Sequence, residues 1–302
     1  MHQIALTVFQ LDNVSNASTG LRLWQAETKD FGASWTAPHP FVIPQLHADN
    51  VTAGTHIAPG NGIELQNGPY AGRLLAVLIH ATQDVVVYSD NGGRSWQMSE
   101  TPLPQNGEAQ LAEVHTSHHA ARKQTAIVFN GRTGSTKRGI AWSYDNGVTF
   151  TDTRFAQDLT GGTDCMASIL SLLADPRPAA AMTRYSGGAA RHNNASSLLF
   201  SHPSGANRTH KSGRNAGVLL RSDDDAETWY EVTAATPEDA GAAFGYSNLN
   251  LLPIVVGGGS RQRVGLTFET NDVAGCDEKA DACKIVYRTL ELKILENGVA
   301  VS

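Results

Sequence analysis

The chain has 302 residues, with 23 Lys and Arg against 29 Asp and Glu, a formal net charge of −6 and 41% hydrophobic residues. That length and apolar content suffice for a substantial core. The acidic balance, without a basic run or patch, argues against a nucleic-acid partner, and no apolar stretch reaches the roughly 20 residues of a membrane-spanning helix.

Taken in chain order, the predicted elements are all strands and fall into repeating units. The first unit has strands at 3–9 and 21–27 and a segment after Trp35, and it lacks an inner strand. The second runs through 56–65, 73–80, 84–89 and a strand after Trp96. The third takes 109–115, 124–129, 139–143 and 150–155. In the fourth come 166–173, 196–201, 216–222 and 228–232, lengthened by a Gly/Ala/Asn-rich insertion at 186–195. The fifth has 244–252, 263–269 and 284–294. No helix of the usual length and no linker is indicated, so 1–302 reads as a single domain.

One eight-residue signature closes a strand in four of these units. Its copies are Thr28-Lys-Asp-Phe-Gly-Ala-Ser-Trp35, Ser89-Asp-Asn-Gly-Gly-Arg-Ser-Trp96, Ser143-Tyr-Asp-Asn-Gly-Val-Thr-Phe150 and Ser222-Asp-Asp-Asp-Ala-Glu-Thr-Trp229. All fit [ST]-x-[DN]-x-[GA]-x-[ST]-[WF], the Asp-box, and their starts lie 61, 54 and 79 residues apart. A strand of alternating polarity leads into each box. Asp, Asn and Gly then shape a tight turn, and the final aromatic folds back as an apolar plug. The boxes therefore stabilise turns and touch no substrate. A signature repeated at this period implies an array of similar sheets, and radial stacking of such sheets is a β-propeller.

Of three cysteines, Cys165 lies in an apolar run and reads as a buried thiol, while Cys276 and Cys283 flank a polar loop that they could bridge. Sequons at Asn13, Asn16, Asn50, Asn194 and Asn207 favour a secreted or lumenal setting, lysosomal included. No signal peptide precedes the first strand. No Asp/His cluster has the spacing of a metal site, and no cofactor is implied.

Catalysis in a propeller belongs on inner strands and their loops. Those segments hold Asn106-Gly-Glu108-Ala-Gln110-Leu-Ala-Glu113, Phe129-Asn-Gly-Arg132, Arg214 through Ser222, Tyr246-Ser-Asn-Leu249 and Leu266-Thr-Phe-Glu269. In order and in placement against the boxes, they resemble the exo-α-sialidase (neuraminidase) family. Its glycine-rich blade opening is similar to Pro59-Gly-Asn-Gly-Ile-Glu-Leu65, its N-E-x-Q-x-x-E to 106–113 with one extra glycine, its R-x-N-G to the Arg214 run and its Y-S-x-L to Tyr246–Leu249. The resemblance implies an all-β, six-bladed propeller, with about five blades in this chain. It also implies partners among sialylated glycans, glycoproteins or gangliosides.

The roles it implies are physically sensible. Sialic acid carries a carboxylate on its anomeric carbon, which planar guanidinium groups fork bidentately. Arg132 and Arg214 match two members of the family's arginine triad, with Arg138 and Arg208 the nearest substitutes if the register is shifted. A carboxylate nucleophile would be repelled by the substrate's own charge, and a Tyr–Glu pair avoids this. Tyr246 matches that nucleophile and Glu108 its base. Glu269 matches the acid that braces a triad arginine, or forms an ordinary strand-end ion pair. His80, near the rim of the second unit, either lines the pocket or packs.

The family's Arg-Ile-Pro strand, with the first triad arginine, and the aspartate acid/base that soon follows it have no counterpart here. Asp12, Asp30 and Asp49 do not match that aspartate's context, and Asp164-Cys-Met166 stands where the family often shows Cys-Gln. The expectation is an N-terminally incomplete sialidase propeller with impaired catalysis. The alternative is a lectin-like propeller that binds sialoglycans without turnover.

Overall fold

The computed structural model describes residues 5–11, 22–30, 32–46, 55–80, 83–103, 107–115, 125–135, 137–160, 165–172, 197–205, 214–235, 243–252, 263–270, 284–295 and 298–301. These residues form five antiparallel sheets that follow one another along the chain. The first joins β1 (Ala5–Leu11), β2 (Arg22–Thr28) and β3 (His39–Pro40). In the second, β4 (His56–Ile57) and β5 (Ile63–Glu64) both pair with β6 (Leu74–His80), which is followed by β7 (Gln83–Ser89) and β8 (Gln97–Met98). The third contains β9 (Ala109–His115), β10 (Thr125–Gly131), β11 (Lys137–Ser143) and β12 (Thr151–Thr160). The fourth contains β13 (Ser168–Leu172), β14 (Ser197–Pro203), β15 (Gly217–Ser222) and β16 (Tyr230–Ala234). The fifth contains β17 (Ser247–Leu252), β18 (Arg263–Thr270), β19 (Lys284–Leu295) and β20 (Gly298–Val301). No described helix is long and apolar enough to cross a membrane.

What stacks these sheets is the period of two along each strand. Val85 and Val87 pack toward the first sheet with Leu23, Phe41 and Trp96, whereas Val86 and Tyr88 pack toward the third with Leu111, Ile127 and Phe129. In the fourth sheet, Leu198 and Phe200 meet Val128 and Trp142 of the third, while the intervening Leu199 meets Phe244 and Leu266 of the fifth. Both faces of a middle sheet are thus covered by neighbours, which makes the array a β-propeller. β9, β13 and β17 lie side by side toward its axis.

Two expectations change. The strands leading into the second, third and fourth boxes do not alternate polar and apolar. Val85–Val87, Gly139–Trp142 and Val218–Leu220 are buried throughout, because a neighbouring sheet covers each face. The fifth sheet also gains β20, which pairs back on the end of β19 with Leu295 opposite Gly298.

All four boxes share one hydrogen-bond pattern. In the third, the Ser143 hydroxyl donates to Asp145 Oδ1 at 2.8 Å and accepts from Gly147 N at 2.8 Å. Asp145 in turn accepts from Thr149 N at 2.8 Å. Gly147 has φ +91°, a conformation that favours glycine, and a Cβ there would lie 2.4 Å from the Leu75 side chain; the fourth box holds the same position in the left-handed region with Ala226, at φ +72°. The closing aromatics Trp96, Phe150 and Trp229 are buried plugs, but Trp35 is 47% exposed. Trp96 stacks on Phe41 with ring centroids 4.9 Å apart, and its indole donates to Gln25 Oε1 at 3.1 Å. Trp96→Ala is expected to cost about 3–5 kcal/mol in urea unfolding, as for buried aromatics generally. Trp35→Ala should cost less than about 1 kcal/mol, as expected of a surface substitution.

Candidate active site

Antiparallel pairing puts the start of a sheet's first strand beside the end of its second, and the start of its third at the same end. The sequence-predicted residues occupy those positions. Glu108 immediately precedes β9 and Arg132 immediately follows β10, with Arg132 N donating to the Glu108 carbonyl at 3.0 Å. Tyr246 immediately precedes β17, and Glu269 N donates to its carbonyl at 2.9 Å from the end of β18. Arg214 leads into β15, its carbonyl accepts from Phe244 N at 3.0 Å, and its guanidinium lies 5.6 Å from the centre of the Tyr246 ring. One rim of the propeller therefore gathers residues from three successive sheets.

Glu108, Arg132 and Tyr246 make direct contact. The Tyr246 hydroxyl donates to one Glu108 oxygen, and Arg132 Nη1 forms an ion pair with the other. Arg132 Nη1 also lies 3.3 Å from the Tyr246 oxygen. The phenol is pushed up to about 12, first by burial and then by its bond to Glu108, while the charges of Arg132 and Arg214 pull the other way. At neutral pH this tyrosine is a protonated donor held against a carboxylate. Its proton has one acceptor, its oxygen lies beside Arg132 and its ring faces Arg214, an arrangement suited to nucleophilic attack with proton transfer.

The other candidates separate from this cluster. Arg138 is buried between sheets, where its Nε donates to Asn130 Oδ1 at 2.8 Å and its Nη1 to the Cys165 carbonyl at 2.8 Å. The rim arginine after β10 is Arg132. The Glu269 carboxylate sits against Gly245 and pairs with no arginine among the described residues. Glu113, the second acid of its motif, is buried and accepts from Gln66 N at 2.7 Å and Asn67 N at 3.1 Å, which ties the second sheet to the third. His80 is half-buried and bonds Thr55 at 3.2 Å. Asp30 serves the turn of the first box. Cys165 is a free, buried thiol that burial pushes up to about 11. Arg208, Asp12, Asp49, Asp164, Cys276, Cys283 and the five sequon asparagines lie outside the described residues.

One residue beneath the site escaped the sequence reading. Asp84, at the start of β7, is fully buried, and its Oδ1 accepts from Gly107 N at 3.3 Å, one residue before Glu108. Its only signal was an acid opening an apolar strand. Burial raises this carboxyl from 3.8 to about 8, against the pull of Gly107 N and Arg138. Its folded value lies above its unfolded one, so the stability it contributes is complete below about pH 4 and is lost as pH rises through 8. Asp84→Asn should flatten the decline of Tm between pH 4 and pH 8, a window set by those two values, while keeping an acceptor for Gly107. Parallel Tm-versus-pH curves for the two proteins would contradict this.

Comparison with known proteins gives a match to the BNR repeat-like domain over residues 3–251. The chain is 29% identical over 235 residues to a sialidase of Micromonospora viridifaciens, covering 76% of this chain and 31% of that protein. A Bacteroides fragilis sialidase is 25% identical over 263 residues, covering 82% of this chain and 39% of that one. The chain thus spans well under half the length of these curated relatives. Among solved structures, the intramolecular trans-sialidase from Ruminococcus gnavus in complex with oseltamivir carboxylate aligns with a TM-score of 0.61 at 19% identity. It covers 89% of this chain and 50% of that one, a likeness of fold.

Proposed function

The chain belongs to the BNR repeat-like domain family, and on that premise we propose that its rim cluster is the nucleophile and carboxylate-clamp part of an exo-α-sialidase site. Similarity to curated sialidases supports a sialidase-type function in general. The observation that carries the finer reading is the Tyr246–Glu108 hydrogen bond, with Arg132 paired to Glu108 and Arg214 over the Tyr246 ring.

In this reading a terminal α-linked sialic acid enters with its carboxylate toward Arg132 and Arg214. A guanidinium has five N–H donors, so Arg132 can pair with Glu108 and still meet a second carboxylate. The Tyr246 oxygen attacks the anomeric carbon as Glu108 takes its proton, and the glycosidic C–O bond breaks. Water then cleaves the tyrosyl–sugar bond, its hydroxyl going to the anomeric carbon and its other proton to solvent, while Glu108 returns the first proton to Tyr246. The departing glycosidic oxygen also needs a proton. The resembled family supplies it from an aspartate after an Arg-Ile-Pro segment, and these 302 residues contain no such segment. The proposed chemistry of this chain is therefore recognition of sialate with poor turnover.

Two measurements on the 302-residue chain test this. In calorimetry with N-acetylneuraminic acid, binding should be seen and should weaken roughly 10- to 100-fold in Arg214→Ala, the scale of bonds to a charged group. Absence of binding by the wild-type chain would sink the proposal. With a fluorogenic sialoside, turnover should be slow and should vanish in Tyr246→Phe. Turnover at a rate typical of glycosidases would refute the missing acid, and binding with no turnover at all would establish the lectin-like alternative.

A further inference from the structure

Glu108 and Tyr246 come from the third and fifth sheets, so no single hairpin sets their separation. The layer below them spans the intervening fourth sheet. Gln110 and Asn248 lie two residues beyond Glu108 and Tyr246, and the strand period puts them on the same faces, one step deeper. Between them stands Ser168, the first residue of β13, fully buried.

The Ser168 hydroxyl donates to Gln110 Oε1 at 2.9 Å and accepts from Leu249 N at 2.9 Å. Gln110 Oε1 also accepts from Ile169 N at 3.2 Å. Asn248 Oδ1 lies 3.4 Å from both Gln110 Nε2 and Ser168 Oγ. From the second sheet, Asn61 accepts from Asn248 Nδ2 at 3.2 Å and donates to Asn250 Oδ1 at 2.8 Å. Gly60 closes over this layer, and a Cβ there would fall 1.8 Å from Gln110 Nε2. Four sheets thus meet in one polar layer under the reacting pair, buried at Ser168 and Gln110 and open to solvent at Asn61.

We propose that Ser168 is a positioning residue: by binding Gln110 and the Leu249 backbone at once, it sets the reach between Glu108 and Tyr246. The proposal rests on the reading above for the identity of the reacting pair, but the contact it controls can be observed without turnover. A network of satisfied buried bonds is stiff, and one hydroxyl that serves two strands cannot move for one without the other. This also gives a role to the glutamine of the 106–113 motif, which the proposed chemistry leaves unused.

The test is proton NMR of the intact chain at neutral pH. A phenol bound to a carboxylate and shielded from water gives a downfield, slowly exchanging hydroxyl signal, assigned here by its loss in Tyr246→Phe. In Ser168→Ala that signal should move upfield and exchange at least about 10-fold faster, the scale of one lost buried hydrogen bond. Ser171→Ala removes a hydroxyl of the same strand that has no hydrogen-bond partner among the described residues, so it should leave the signal unchanged. Gln110→Met, close in shape but without the acceptor, should reproduce the Ser168→Ala shift and provides the test if Ser168→Ala does not fold. A Ser168→Ala protein with lowered Tm but a wild-type signal would overturn the proposal, as would a wild-type chain without the signal. If the signal responds but the chain binds no sialate, the positioning role stands and the sialidase-type reading falls.

Discussion

Every middle sheet of this protein has two apolar faces, and each can leave water only against the sheet beside it. Burying a Leu, Val or Phe side chain is worth about 1.5–3 kcal/mol, and each interface gathers many of them. Adjacent residues such as Leu198 and Leu199 point into different interfaces, so each middle sheet depends on both of its neighbours. This constraint aligns the sheets radially and brings β9, β13 and β17 together at the axis.

The site follows from that convergence. Toward the axis, Ser168, Gln110 and Asn248 form a polar layer centred on Ser168. One step toward the rim, Glu108, Arg132, Arg214 and Tyr246 are gathered from the ends of strands. Their electrostatics are mutually dependent. Glu108 holds the Tyr246 proton, Arg132 balances Glu108, and Arg214 lies against the tyrosine ring. Removal of any one changes the charge felt by the others, so substitutions in this cluster should not be additive.

Much of this was legible in the sequence, for physical reasons. The boxes are local structures whose hydrogen bonds run between residues two to four apart, so their residue types alone determine the turn. Their spacing then locates the strands. Tyr246 and Glu108 were singled out because the motifs that hold them, Tyr246–Leu249 and 106–113, resemble those of sialidases, and both sit at strand starts that the box spacing locates. Asp84 and Ser168 were not, since their roles arise from partners 23 and 81 residues away, a pairing no local pattern records. The exposure of Trp35 was hidden for the same reason: its box matches the others, and only its surroundings differ. The misread alternation before the second, third and fourth boxes also came from surroundings, because coverage by a neighbouring sheet turns a half-buried strand into a fully buried one.

The central claim is that this rim recognises a carboxylate-bearing sugar through Arg132 and Arg214 with Tyr246 beneath its anomeric carbon. The most direct measurement is a crystal structure of the chain with a 2,3-unsaturated sialic acid. The account predicts both arginines within about 2.7–3.2 Å of the ligand carboxylate and the Tyr246 oxygen facing the adjoining ring carbon. A ligand whose carboxylate is held elsewhere, or whose ring lies beyond reach of Tyr246, would contradict it.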